Sequence, residues 1–106
     1  MSDRLVQKHL LHGTQELEIL DDVVKVKISK PLRGEKRLDF VLATLNPEPV
    51  LNGDRLEFYG RVKCGPMISL YLNKPDPETF NTFVTKLKAE IRSEYGAFTG
   101  MKDEPA

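Results

Sequence analysis

A cluster of basic residues is the feature of this sequence best suited to chemistry. Between residues 25 and 37 the chain carries six lysines and arginines and a single acidic residue, Glu35. Lys and Arg side chains that converge on one point bind phosphate or carboxylate groups through charge-assisted hydrogen bonds. Arg61 and Lys63 lie in a later loop that we expect to reach the same end of the fold. The predicted ligand-binding residues are Lys27, Lys30, Arg33, Lys36, Arg37, Arg61 and Lys63.

The same charges have a plainer interpretation. A solvated strand face followed by a charged loop gives the same pattern, and lysines on an exposed strand protect a sheet edge from unwanted pairing. The sequence leaves both interpretations open, because the neighbours of these side chains depend on the fold.

Cys64, His9 and His12 are the other residues with reactive or metal-binding side chains. Cys64 lies beside Lys63, but a nucleophilic cysteine needs a base and a depressed pKa, so a partly buried structural cysteine is the simpler interpretation. His9 and His12 would share one face of a helix, yet no further histidine or paired cysteine completes a metal site. We therefore predict neither a metal nor a cofactor.

No spacing in the chain matches a catalytic motif. Gly60 and Gly65 have the glycine spacing of a phosphate-binding loop, but Pro66 and Met67 stand where that motif needs lysine and serine or threonine. A Gly-x-Ser-x-Gly elbow is missing, and the carboxylates are scattered. The sequence therefore favours a protein that is not an enzyme, with a small enzyme built on Cys64 as an alternative.

The composition limits the class of protein. The 106 residues are 40% hydrophobic and 30% charged, which is ordinary for one globular domain. Sixteen basic and sixteen acidic residues cancel, which disfavours nucleic acid as a partner. One cysteine excludes an intramolecular disulfide, and no apolar run reaches the roughly 20 residues of a membrane span. We expect a cytoplasmic protein.

Alternating apolar residues predict several short strands. Val24, Val26 and Ile28 form one such series, and an Asp21-Asp22 turn separates it from a strand over residues 17–20. Further strands are expected over residues 50–51, 55–59 and 68–72. Two segments are ambiguous: residues 3–12 fit a short helix or an irregular strand, and residues 38–45 fit a covered strand or a buried helical turn.

Turn and cap residues mark the boundaries in the second half of the chain. Asn52-Gly53 predicts a hairpin, Asp76 and Pro77 suit the start of a helix, and Gly96 suits its end. The apolar stripe of this helix consists of Phe80, Phe83, Val84, Leu87 and Ile91. We therefore predict one domain over residues 1–96 and a disordered tail over residues 97–106.

The element order is five to seven strands and then one helix, which makes this an α+β chain. Because no helix separates the strands, the sheet must be mostly antiparallel. The pattern over residues 16–95, best between Leu56 and Ile91, resembles the pleckstrin-homology-like superfold, including its short stand-alone bacterial domains. The resemblance implies a bent sheet or partial barrel closed at one end by the C-terminal helix. Many members carry a tryptophan in that helix, where this chain has none.

The resemblance also implies a scaffold that binds phosphoinositide headgroups, peptides or proteins rather than a catalyst. We therefore predict a small non-catalytic domain whose basic loop end captures a protein, a peptide or an anionic small ligand. Tyr59, Tyr71 and Met67, expected on exposed strand faces, would add contact area. A structural or oligomerisation module is the alternative from another class.

Overall fold

The computed structural model describes residues 3–9, 13–32, 34–61 and 65–99. Within these residues the chain forms seven strands, one 3-10 helix and one α-helix. In chain order the elements are β1 (Arg4–His9), β2 (Gly13–Leu20), β3 (Val23–Lys30), β4 (Gly34–Val41), the 3-10 helix (Leu42–Thr44), β5 (Val50–Asn52), β6 (Arg55–Tyr59), β7 (Pro66–Tyr71) and α1 (Pro77–Thr99). The predicted α+β class is confirmed. The strands form two antiparallel sheets, one of four strands and one of three, which are not closed into a barrel.

The first sheet contains β1 to β4 in chain order. Val24 and Val26 are buried on its inner face and Ile28 packs against the core, as their two-residue period predicts. The helical alternative for residues 3–12 is wrong where the structure describes it, because residues 4–9 form β1. Residues 38–45, which fitted a covered strand or a buried helical turn, contain both. Strand β4 runs directly into the 3-10 turn with its buried Leu42.

The second sheet contains β5, β6 and β7, also in chain order. The predicted hairpin is confirmed, with Asn52 paired to Arg55 across a turn of Gly53 and Asp54. Gly53 has a φ of 65°, a left-handed conformation that glycine adopts without steric cost.

Helix α1 begins as predicted. The Asp76 carboxylate accepts a 2.8 Å hydrogen bond from the Thr79 backbone N–H, and this bond satisfies one of the free donors of the first turn. The predicted end at Gly96 is wrong, because the helix continues to Thr99. The structure therefore extends three residues into the predicted tail, and residues 100–106 lie outside the described residues.

One apolar core joins the helix to both sheets. The predicted stripe of α1 is buried in full, and the 3-10 helix and β1 contact α1. The buried apolar residues are Leu5, Leu17, Ile19, Val24, Val26, Leu42, Leu45, Phe58, Ile68, Leu70, Phe80, Phe83, Val84, Leu87 and Ile91. Their burial supplies most of the stability of a domain of this size.

A buried glutamine joins the two sheets where they do not pair through their backbones. The Gln7 amide nitrogen donates to the backbone carbonyls of Tyr71 at 2.7 Å and Lys74 at 3.0 Å. Its amide oxygen accepts from the Tyr71 N–H at 2.9 Å and from Gln15 Nε2 at 3.1 Å. The Gln7 side chain therefore fixes the edge of β7 against β1 and β2.

Candidate functional site

The basic segment is divided between the two faces of the first sheet. Successive side chains of a strand point to opposite faces. Lys27 and Arg37, which pair across β3 and β4, lie on the outer face, whereas Lys30 and Lys36 lie on the inner face. The four predicted cations that the structure describes on this sheet therefore form two separate pairs, one on each face.

On the outer face, Glu16 of β2 and Glu35 of β4 supply acidic partners, and the sequence alone does not place Glu16 near the basic segment. The Lys27 ammonium lies 3.4 Å from a carboxylate oxygen of Glu16, and Arg37 Nε lies 2.7 Å from Glu35. Arg4 also hydrogen-bonds Glu16, and together with Lys27 it lowers the pKa of that carboxyl from its usual value, although burial opposes the shift in part. The positive charge of Lys27 and Arg37 is thus compensated within the domain.

Arg61 has a different position from the one predicted. Its Nε donates a 3.0 Å hydrogen bond to the Ala43 carbonyl, and its guanidinium carbon lies 3.6 Å from the centre of the Tyr95 ring. Both contacts join the end of β6 to the 3-10 turn and α1. Arg55 begins β6 and Arg61 follows its last residue, so the two arginines lie at opposite ends of the strand. Arg61 stabilises the packing of this end against the 3-10 turn and α1 instead of joining Lys30.

Several predicted residues cannot be placed. Arg33, Lys63, Cys64 and His12 lie outside the described residues. His9 ends β1, so the helical arrangement that would pair it with His12 is wrong for this segment.

A cleft between the two sheets is the strongest candidate site. Its volume is about 260 Å³, just below the range of typical small-molecule pockets. One wall is the inner face of β2, β3 and β4, and the other comes from β6 and β7. The lining residues are Gly13, Thr14, Gln15, Val26, Ile28, Lys30, Leu38, Arg55, Met67, Ile68, Ser69 and Tyr71.

Among the residues that the structure describes, the charged side chains of this lining are all positive. They are Lys30 and Arg55, and no described carboxylate lines the cleft. In the part of the chain that the structure describes, neither cation forms an ion pair. Lys36 lies nearby, in a depression that shares Ile28 and Lys30 with the cleft. The cleft therefore combines apolar walls, which include Ile28, Leu38 and Met67, with positive charge that no described ion pair compensates.

Aromatic contacts hold Arg55 at the cleft. Its guanidinium carbon lies 4.9 Å from the centre of the Tyr71 ring, and the His9 ring stacks on Tyr71 with centres 5.0 Å apart. Arg55 is half-buried, whereas Lys30 is exposed. Since a less solvated cation interacts more strongly with an anion, Arg55 is the stronger of the two candidate anion-binding groups.

Ser69 lines the cleft as well, but its hydroxyl is buried behind the surface of the cleft. Ser69 Oγ is inaccessible to solvent and makes no hydrogen bond within the described residues. The backbone carbonyl of the same residue accepts a 2.8 Å bond from Gln15 Nε2, so the strand around it is fixed. A buried hydroxyl that lacks a partner costs free energy, and because Ser69 Oγ is inaccessible from the cleft it is not a contact for a ligand in this structure.

The predicted tyrosine patch is only partly exposed. Tyr71 and Met67 are half-buried in the lining of the cleft. Tyr59 is half-buried too, and its hydroxyl lies 3.3 Å from the Glu57 carboxylate. Desolvation, together with this carboxylate, raises the pKa of the Tyr59 hydroxyl. Glu57 itself is 8% exposed and also accepts a bond from Asn52, so this pair is committed to contacts within the second sheet.

Sequence reasoning missed Arg55, Gln15 and Ser69. The period of β6 and β7 does place Arg55, Ser69 and Tyr71 on one face of the second sheet, because Arg55 pairs with Tyr71 and Glu57 pairs with Ser69. The sequence carries no signal for the other wall, since the two sheets meet through residues far apart in the chain, such as Gln7 with Tyr71 and Gln15 with Ser69.

Comparisons with protein-family models, with curated proteins and with solved structures found no match to this chain. Among the described residues, α1 is the only long helix, and it is too polar to cross a membrane. The pleckstrin-homology-like resemblance thus stays a prediction.

Proposed function

We propose that this domain is a non-catalytic binding module whose ligand is a small organic anion with an apolar body, held in the cleft between the two sheets. The observation that carries the proposal is the lining, in which Lys30 and Arg55 lie beside half-buried Ile28, Leu38 and Met67, with no acidic side chain among the described residues of the cleft.

The charge of the cleft favours a carboxylate or phosphate group. A charged hydrogen bond to a half-buried guanidinium is worth about 1.5–3 kcal/mol, and a contact with an exposed lysine about 0.2–1 kcal/mol. These two groups would orient the acidic end of the ligand.

The apolar walls of the cleft favour a ligand with a hydrocarbon body. Ile28, Leu38 and Met67 are only partly buried in the free domain, so covering them removes apolar surface from water at about 25 cal/mol per Å². Inorganic phosphate alone would leave this surface exposed. A short acyl or aryl acid uses both properties of the cleft.

A titration with octanoate followed by proton–nitrogen NMR tests the proposal. We expect shifts confined to the lining, and weaker or no shifts with octanol and with inorganic phosphate, which lack the charge and the chain respectively. Arg55→Met should weaken octanoate binding about 10- to 150-fold, which corresponds to the loss of about 1.5–3 kcal/mol. Lys30→Met should weaken it less than fivefold or so.

Lys8→Met is the matched control, because it removes a cation from the exposed outer face of β1 and should leave octanoate binding unchanged. Equal affinity for octanoate and octanol, or an unaltered affinity in Arg55→Met, would contradict an anion site at the cleft. A spectrum that does not respond to octanoate would reject the proposed ligand class.

A further inference from the structure

Within the described ranges, strand β4 pairs with a neighbouring strand on one side only, which leaves a long free edge. It is the last strand of the first sheet and spans eight residues, whereas the edge strand β5 of the second sheet spans three. The Leu42 N–H donates to the Asp22 carbonyl on the β3 side. Because backbone groups of an antiparallel strand alternate sides, Glu35, Arg37, Asp39 and Val41 present their N–H and C=O groups at the free edge.

The outer face of the first sheet carries rows of charge that end at this edge. In the first row the sign alternates across all four strands, which contribute Arg4, Glu18, Lys25 and Asp39 in that order. In the next row β2, β3 and β4 contribute Glu16, Lys27 and Arg37. The first row therefore ends with an anion and the second with a cation, two residues apart on β4.

We infer that β4 pairs with β4 of a second copy of this chain, antiparallel and with Leu38 at the two-fold axis. In this register Arg37 of each copy lies opposite Asp39 of the other, so both rows continue with a charge of opposite sign. Cross-strand pairs of opposite charge stabilise a sheet, and like charges destabilise it.

Neighbouring registers are less favourable. An axis at Arg37 places that residue opposite itself and Glu35 opposite Asp39, and an axis at Asp39 places two carboxylates face to face. An axis at Lys36 keeps an attractive contact between Glu35 and Arg37, but only residues 34–38 then overlap. The register centred on Leu38 pairs residues 35–41 and leaves no like charges opposed.

The side chains on the inner face of β4 also favour the register centred on Leu38. Leu38 and Phe40 are half-buried in the single chain. In the pair, Leu38 meets its own symmetry copy and Phe40 lies opposite Lys36, whose hydrocarbon stem can cover the ring. The second copy thereby shields apolar surface that the single chain leaves in contact with water.

Sedimentation equilibrium over micromolar to millimolar concentrations measures the pairing. The wild-type mass should rise from 12.1 kDa toward twice that value. Arg37→Asp and Asp39→Arg should each weaken self-association about tenfold or more, because each turns two attractive contacts into two repulsive ones. The two variants mixed in equal amounts should associate again, since every contact between them is attractive, and so should the double variant.

Two charge reversals away from this edge are the matched controls. Lys8→Asp lies on the opposite edge strand and Glu94→Arg on α1, and both should dimerise like the wild type. Circular dichroism shows that each variant is folded before its mass is compared. A wild-type mass that stays at 12.1 kDa at millimolar concentration would overturn the inference. Unimpaired dimerisation of Asp39→Arg, or a failure of the mixed variants to associate, would also overturn it.

Discussion

The Gln7→Leu substitution tests how the structure joins its two sheets. The Gln7 side chain is 0% exposed, and its amide takes part in four hydrogen bonds to β2, β7 and the loop after β7. A net contribution of about 0.5–1.5 kcal/mol for each bond gives a total of about 2–6 kcal/mol. Because Tyr71 is half-buried, water can replace part of the hydrogen bonding that its backbone loses in the variant. We therefore expect Gln7→Leu to lower the free energy of unfolding by about 2–4 kcal/mol.

Urea unfolding of wild type and variant gives the difference in the free energy of unfolding directly. Gln15→Leu is the matched comparison, because this half-buried residue makes two of the bonds in the same network and should cost about 1–2 kcal/mol. Gln7→Leu should also speed hydrogen exchange at the Tyr71 amide, which loses its acceptor. A loss below about 0.5 kcal/mol, the size of an ordinary surface effect, would refute the role assigned to Gln7.

Three further predictions concern the core, the helix cap and a surface ion pair. Phe83→Ala should lower the free energy of unfolding by about 3–5 kcal/mol, because the ring is buried, and half-buried Phe40→Ala should cost less; equal losses in urea would contradict this difference in packing. Asp76→Ala should cost about 1 kcal/mol in thermal unfolding and Asp76→Asn much less, since asparagine also caps a helix; identical losses would argue against the cap. Glu16→Gln should be more destabilising at neutral than at acidic pH, because the ion pairs of Glu16 lower the pKa of its carboxyl in the folded state. These ion pairs stabilise the fold at pH values above the usual pKa of 4.5, and the stabilisation is lost as the pH falls through the folded pKa. A pH-independent difference between Glu16→Gln and the wild type would contradict that assignment.

The elements with a clean period or a cap were predictable from the sequence. The Val24 series, the Asn52-Gly53 hairpin and the Asp76 cap each depend on contacts within a few residues, which local patterns report well. Strand β1 was ambiguous because its second buried position is polar. Leu5 and Gln7 both point inward, but a buried glutamine hides the apolar alternation that identifies a strand. Two of its partners, Tyr71 and Lys74, lie more than sixty residues further along the chain.

The end of the helix shows the limit of a single-residue rule. Glycine often ends a helix through a left-handed conformation, but it also fits inside a helix at a cost of about 1 kcal/mol. Gly96 lies inside the helix, and α1 continues to Thr99.

The candidate site was predictable only in part. Lys30 and Lys36 were identified as cations at the open end, and the two-residue period separates them from Lys27 and Arg37. The carboxylate that compensates Lys27 comes from β2, so charge counted along one segment overstated the basic character of the outer face. Arg55 was missed because its environment comes from the contact between two sheets.

The most direct test of the proposed binding site is a set of intermolecular NOEs between carbon-13-labelled octanoate and the methyl groups of the domain. We expect contacts from the hydrocarbon chain of octanoate to Ile28, Leu38 and Met67 on the walls of the cleft. Contacts to Leu20 and Val41, which are exposed apolar residues outside the cleft, or a bound ligand without contacts to the cleft methyls, would contradict it.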